Sequence, residues 1–347
     1  MSDKVRVLVV DDSAFARAAI SRTLGADSDI EVIGTAKDGL DAVEQTLSLK
    51  PDVITLDVSM PRMDGLQALA RIMKDRPTPV VMVSALTGEN TYATIEALEK
   101  GAVDFFLKSS PVRPAGDGTG QSDLLAKVKS AAHARVGPVN GRASARQSPP
   151  SKQPPRPFAA GTRVLAIGSS TGGPKALSEL LHDIPGDIPA AIAIVQHMPA
   201  GFTNSLAHRL NQSAHITVKE AEAGDRLEVG KALLAPGGQH MRFDRSGRVA
   251  LDTGPTVCGV RPAVDVTIRS LVAAFGASVD AVILTGMGAD GTEGAGEIKR
   301  AGGSVAVEHE STCVVYGMPK SIIDAGFADA VIPIGSMARR IVEMCRR

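Results

Sequence analysis

The sequence predicts an α/β protein of two doubly wound, mainly parallel-sheet domains, residues 1–136 and 162–347, joined by a flexible linker at 137–161. Three observations carry that expectation. Short apolar, β-branched runs alternate with amphipathic stretches up to about residue 135, a Pro-, Ser- and Arg-rich segment then interrupts them, and the same alternation resumes at Arg163. A βαβα order of this kind implies a parallel sheet covered by helices. The length of 347 residues exceeds what one compact core usually holds.

In the first half, VRVLVV (Val5–Val10), VITL (53–56), PVVMVSA (79–85) and AVDFFLK (102–108) are near-continuous apolar runs. Such runs suit strands buried on both faces. In DGLDAVEQTLSLK, Leu40, Val43 and Leu47 share one helical face, expected to pack on the sheet.

The interruption contains Pro149, Pro150, Pro154, Pro155 and Pro157, no acidic residue and no apolar period. It reads as a solvated tether, extended where prolines cluster.

Beyond it, RVLAIG, AAIAIVQH, KALLAP, AVILTGM and GSVAVEH read as strands. PKALSELLHDI, FTNSLAHRLNQ, PAVDVTIRSLVAAFG and TEGAGEIKRAGG read as helices, and HMRFDRSGRVALD as a hairpin turning at Ser246-Gly247. Aromatics make up 3% and Trp is absent, so both cores must be aliphatic.

Charge narrows the function. Lys+Arg 38 balances Asp+Glu 38, which argues against a dedicated nucleic-acid or membrane-surface binder. Cys258, Cys313 and Cys345 lie far apart, with neither disulfide-framework nor metal-knuckle spacing. No signal-peptide pattern opens the chain and no apolar run is long enough to span a bilayer, so a cytoplasmic protein is expected.

Two sets of strand ends carry chemistry. The first strand runs into Asp11-Asp12, the third ends in Asp57, the fourth in Ser84 and the fifth in Lys108. Parallel strands share one carboxyl edge, so three carboxylates, a hydroxyl and an ammonium converge there. Clustered carboxylates suit a hard cation such as Mg2+. Metal and lysine together suit an acyl phosphate.

On these five groups, with MPRMDG at 60–65, the first domain resembles the response-regulator receiver family. The resemblance implies a flavodoxin-like fold. It implies that Asp57 accepts a phosphoryl group from a histidine kinase. It also implies Mg2+ on Asp11, Asp12, Asp57 and the Ser59 carbonyl, with Ser84, Phe105 and Lys108 as switch residues. Plain core packing is an equal reading of Phe105. Ser59 departs from relatives that carry an acid there.

In RVLAIGSSTGGPKAL, a strand leads through Gly168-Ser169-Ser170-Thr171-Gly172-Gly173 to Pro174, which opens a helix. G-x-S-x-G in that context suits a nucleophile elbow. A phosphate cradle and a structural turn stay open for this loop alone. Two further strand ends bear on it: AAIAIVQH stops at His197, and the glycine-rich loop after AVILTGM carries Asp290. Ser170, His197 and Asp290 would share one edge, as a triad requires. Their chain order is not that of the α/β-hydrolases.

With IGSSTGG, QHMP, APGGQHM, LTGMGADG and CVVYGMPK, the whole chain resembles the chemotaxis-specific protein-glutamate methylesterases. That resemblance implies a Rossmann-like α/β serine hydrolase domain, with Ser170 as nucleophile, His197 as base and Asp290 as orienting acid. The backbone amides of Thr171 and Met287 are the candidates for the oxyanion hole. Methyl-accepting chemoreceptors would be the substrate, and no cofactor is required for ester hydrolysis. Deamidation of receptor glutamines is a possible second activity, and an unphosphorylated receiver is expected to inhibit the esterase. Rival readings are a DNA-binding output, a nucleotide-dependent enzyme and a noncatalytic scaffold.

Overall fold

A computed structural model describes residues 4–85, 88–108, 119–137, 152–159 and 161–346. The chain divides into two compact units, residues 1–145 and 146–347.

The first unit runs β1 (Val5–Val10), α1 (Ala14–Gly25), β2 (Ile30–Ala36), α2 (Gly39–Leu49), β3 (Val53–Asp57), α3 (Gly65–Asp75), β4 (Val80–Ser84), α4 (Gly88–Glu99), β5 (Asp104–Leu107) and α5 (Thr119–Ala132). Its five strands pair in parallel in the order β2-β1-β3-β4-β5. Val7 to Val10 and Val80 to Val83 have no solvent exposure, as continuous apolar runs predict. β2 was not among those runs. It is an edge strand, and its IEVIGTA is only partly buried.

Side-chain caps decide where the helices start. Asp38 accepts from the amides of Leu40 and Asp41, and Asp64 forms a capping box with Gln67 ahead of α3. The expected face of α2 is corrected. It buries Gly39, Ala42 and Thr46, while Leu40 and Leu47 are each 47% exposed. At the start of that face the helix meets the loop before α3 closely: a Cβ on Gly39 would lie 2.6 Å from Met63.

The second unit opens with β6 (Arg156–Pro157), β7 (Arg163–Ser169), α6 (Gly173–Asp183), β8 (Ala190–Gln196), α7 (Phe202–Ser213) and β9 (Thr217–Glu220). β10 (Glu228–Val229), β11 (Lys231–Leu234), β12 (His240–Phe243), β13 (Val249–Asp252) and α8 (Val264–Phe275) follow. β14 (Val279–Ile283), α9 (Thr292–Ala301), β15 (Val305–Glu308), α10 (Met318–Asp324), β16 (Ala330–Ile332) and α11 (Ile334–Cys345) complete it.

A seven-stranded parallel sheet has the order β16-β15-β14-β7-β8-β11-β9. β12 and β13 form the expected antiparallel hairpin, with Gly247 at φ 75° in its turn.

Residues 152–159, read from sequence as linker, pack on this unit. β6 pairs antiparallel with β10, Lys152 bonds Asn211, and Phe158 meets Phe275 edge-on at 5.2 Å. Prolines are tolerated there because an edge strand does not need every amide. Residues 138–151 and 160 of the linker lie outside the described residues.

In both sheets the connections reverse direction beside a central strand. The reversal falls between β1 and β3 in the first and between β7 and β14 in the second. Such switch points open a crevice at the carboxyl ends of the strands.

Candidate active and phosphorylation sites

At the first crevice, β1 and β3 deliver Asp11, Asp12 and Asp57, whose carboxylate oxygens lie within 4.8 Å of one another. Lys108, just past β5, places Nζ 2.8 Å from Asp11 Oδ2 and 2.9 Å from Asp57 Oδ2. Burial pushes the Asp57 carboxyl up, and the Asp11 charge adds to that push against the Lys108 ammonium. Burial alone would lower the Lys108 pKa, but the two carboxylates outweigh it and hold the ammonium protonated.

Gly65 is what lets the loop close under Asp57. Its amide donates to Val58 O at 2.9 Å, and a Cβ there would fall 2.1 Å from Asp57 O.

The neighbouring candidates separate. Ser84 is buried, with its Oγ 2.9 Å from the Thr94 hydroxyl of α4. Phe105 is buried too, beneath the Lys127 ammonium at 5.2 Å from the ring centroid. Ser59 donates its hydroxyl to Asn90 Oδ1 at 2.9 Å.

At the second crevice, the turn after β7 is fastened by two residues, Thr285 and Gln196. Ser170 N donates to Thr285 O at 3.0 Å. The Thr285 hydroxyl donates to Thr171 O at 3.0 Å. Gln196 Nε2 donates to Ser170 O at 2.9 Å and His197 O at 3.2 Å. One side-chain amide thus ties the serine's backbone to the histidine's.

Gly172 takes φ 78° at the mouth of α6, a left-handed conformation that glycine adopts without strain. A Cβ on Gly173 would sit 2.0 Å from Gln196 Oε1. The two serines are not equivalent. Ser169 has no exposure and donates to Gln196 Oε1 at 2.7 Å, whereas Ser170 is partly exposed.

His197 Nε2 lies 2.8 Å from Asp290 Oδ2, so Nδ1 is the ring nitrogen not engaged by the carboxylate. Asp290 also accepts the first two amides of α8: Val264 N at 2.6 Å on Oδ2 and Asp265 N at 3.0 Å on Oδ1. Burial would raise the Asp290 pKa, but the His197 contact and these amides outweigh it and hold the carboxyl below its ordinary range.

Gly286 brings the Asp290 loop against the serine, since a Cβ there would meet Ser170 Cβ at 2.8 Å. Thr171 is buried, and Met287 is 41% exposed on the loop after β14.

Sequence reasoning missed Gln196, Thr285 and Asp265. Gln196 had a signal, a polar residue ending an apolar strand next to His197. Asp265 had only that of an acid in a first helical turn.

Among the described residues, no helix is long and apolar enough to cross a membrane. The three cysteines are free thiols.

Comparison with known proteins bears on both crevices. Residues 165–341 match the CheB methylesterase family and residues 7–113 the response regulator receiver domain. The chain is 48% identical to a protein-glutamate methylesterase/protein-glutamine glutaminase of Symbiobacterium thermophilum, with 98% of each chain covered. It is 44% identical to the protein of that description from Thermotoga maritima, covering 99% of this chain and 100% of the other. The crystal structure of the Thermotoga maritima CheB methylesterase catalytic domain matches with a TM-score of 0.51 at 44% identity, over 54% of this chain and 99% of that one.

Proposed function

Because the chain belongs to the CheB methylesterase family and carries a response regulator receiver domain ahead of its esterase half, we propose that it hydrolyses glutamate methyl esters on chemoreceptors under phosphorylation control. The relatives' names extend the chemistry to glutamine deamidation, which passes through a similar tetrahedral intermediate. The observation that carries the reading is the 2.8 Å contact of His197 with Asp290, beside a braced turn that leaves Ser170 accessible.

In this reading Ser170 Oγ attacks the γ-carbonyl carbon as its proton passes to His197 Nδ1. Asp290 fixes the tautomer and stabilises the imidazolium through Nε2. The tetrahedral intermediate collapses, His197 protonates the leaving oxygen and methanol departs. Water, deprotonated by His197, then attacks the acyl-serine, which releases a glutamate carboxylate and restores Ser170.

The amide of Ser170 already serves Thr285 O. The oxyanion donors are therefore sought in the amides of Thr171 and Met287.

In the receiver, three hard carboxylate donors within 4.8 Å fit Mg2+. Asp11, Asp12, Asp57 and the Ser59 carbonyl would hold it, and the ion would offset charge on a bound phosphoryl group. Asp57 takes that group from a histidine kinase in the cytoplasm. Lys108 neutralises it and Ser84 bonds it, with Phe105 following the switch. Phosphorylation relieves inhibition of the esterase by the receiver.

The test is methanol release from methyl-esterified receptor membranes, with and without acetyl phosphate and Mg2+, for wild type, Ser170→Ala and Asp57→Ala. Release that needs Ser170, and responds to acetyl phosphate only when Asp57 is present, is the expected result. Release that persists in folded Ser170→Ala refutes the assignment.

A further inference from the structure

Asp290 does not stand alone. It lies in the loop that leads into α9, yet it accepts the first two amides of α8. Asp265 lies in the first turn of α8, yet it accepts the amide of Gly294 in the first turn of α9 at 2.7 Å. Asp290 therefore ties off the helix that carries Asp265, and Asp265 the helix that follows Asp290. Both are buried, with 2% exposure for Asp265 and 1% for Asp290, and their oxygens lie within 4.8 Å of each other and of Cys258 Sγ.

We propose that Asp265 is a positioning residue for the esterase reaction, its carboxylate tying the start of α9, and with it the Asp290 loop, to α8 so that Asp290 stays against His197, and adding its charge to the field on the imidazole. The inference rests on the reading of Ser170, His197 and Asp290 given above.

A purely structural cap explains the geometry poorly. A hydroxyl or amide oxygen could also accept the Gly294 amide, and neither would set a second buried carboxylate beside the first. Like charges that close destabilise the fold. Such a cost is tolerated where it serves chemistry, and here it sits one residue from the imidazole. A second negative charge favours the imidazolium that forms as Ser170 loses its proton.

The groups facing Asp265 are Asp290 from the β14–α9 loop, Glu293 from α9, Cys258 from the loop before α8 and, through Asp290, His197. Arg269, one turn along α8, is paired with Glu293 and Glu297. Burial pushes the Asp265 carboxyl up to about 6, with the Gly294 amide opposing and the Asp290 charge adding. Asp265 thus takes up a proton as pH falls while Asp290 stays ionised.

The test compares full-length wild type, Asp265→Asn, Asp265→Ala and Ser170→Ala. Methanol release from methyl-esterified receptor membranes is followed from pH 5 to 9 at fixed acetyl phosphate and Mg2+. The ratio of each variant to wild type cancels any pH dependence of the receiver, and urea unfolding verifies the fold.

Asp265→Asn keeps an oxygen for the Gly294 amide but removes the charge. Its kcat falls about tenfold with KM unchanged, and the acid limb of kcat/KM moves to lower pH. Asp265→Ala falls by about a hundredfold, so that Asn is a partial rescue. Profiles for both variants that superimpose on wild type overturn the proposal, as does an Asn variant no more active than Ala with an unshifted limb. A silent Ser170→Ala beside unchanged Asp265 profiles removes this proposal alone. Release by Ser170→Ala removes the triad reading, and this proposal with it.

Discussion

Replacing Asp290 by Asn changes one atom and breaks the site in a way the hydrogen bonds make countable. Asp290 receives three N–H groups on two oxygens: His197 Nε2 and Val264 N on Oδ2, and Asp265 N on Oδ1. An asparagine offers one acceptor oxygen. With that oxygen toward Asp265 N, its NH2 faces Val264 N–H and forces His197 to accept at Nε2. The ring proton then sits on Nδ1, and the base cannot take a proton from Ser170. With the oxygen toward His197 and Val264, the Asp265 amide is left buried and unpaired, at about 1–3 kcal/mol. Each arrangement leaves one backbone amide facing the NH2, but the first gives that NH2 an acceptor in His197 Nε2 at the expense of the tautomer, and loss of the correct tautomer costs about 10^4 in kcat in the Ser-His-Asp template.

The expected result is a fall in methanol release of about 10^3–10^4, with a loss of about 1–3 kcal/mol in urea unfolding. The assays are methanol release and urea unfolding of the full chain with identical phosphodonor. Activity within tenfold of wild type from a folded Asn variant refutes the reasoning, because it means His197 does not depend on this carboxylate.

Other consequences follow from the same geometry. Ser169→Ala removes a buried donor to Gln196 Oε1 and is expected to cost about 1–3 kcal/mol in urea unfolding while methanol release persists. Loss of all release would move the nucleophile to Ser169. Gly65→Ala puts a methyl 2.1 Å from Asp57 O. It should destabilise the receiver by about 1–3 kcal/mol and slow phosphorylation of Asp57, read by acetyl-phosphate labelling.

Asp265 carries a folded pKa of about 6 against an ordinary value near ~3.9. The folded state then binds the proton more tightly than the unfolded chain. Its contribution is favourable at low pH, declines as pH rises from about 4 to 6, and is gone above that window. Asp265→Asn should therefore gain stability relative to wild type as pH rises through that window, by on the order of 1–3 kcal/mol. Chemical denaturation at pH 4.5 and 7.5 measures it.

Much of this architecture was legible because both sheets are parallel and buried. Runs such as Val5–Val10 and AAIAIVQ cannot be surface strands, and strand ends alone locate Asp11 and Asp57 on the carboxyl edge of the first sheet and His197 on that of the second. What escaped depends on close approach. Leu40, Val43 and Leu47 have the right period for a buried face, but the helix turns Gly39, Ala42 and Thr46 inward. Periodicity reports a stripe, not the distance at which it packs. β6 escaped for a similar reason, since a proline-rich stretch reads as tether until an edge strand receives it. Asp265 and Gln196 act mainly through partners 25 or more residues away, so the polar end of β8 and the acid in a first turn mark the residues but not the bonds they make.

Gln196 has a further implication. Relatives of this chain are named as glutaminases, and the chain keeps a glutamine of its own beside the proposed nucleophile. That side chain is 2% exposed, its oxygen is bonded to Ser169 and its nitrogen to two backbone carbonyls. An amide held at both ends does not present its carbonyl carbon to Ser170. Were it ever hydrolysed, the carboxylate left behind would face the oxygens of Ser170 and His197 with no hydrogen to offer. The ends of β7 and β8 would then repel each other at the point where they are now joined. A slow loss of activity on ageing, with a mass gain of about 1 Da at this position, would be the mark of that damage.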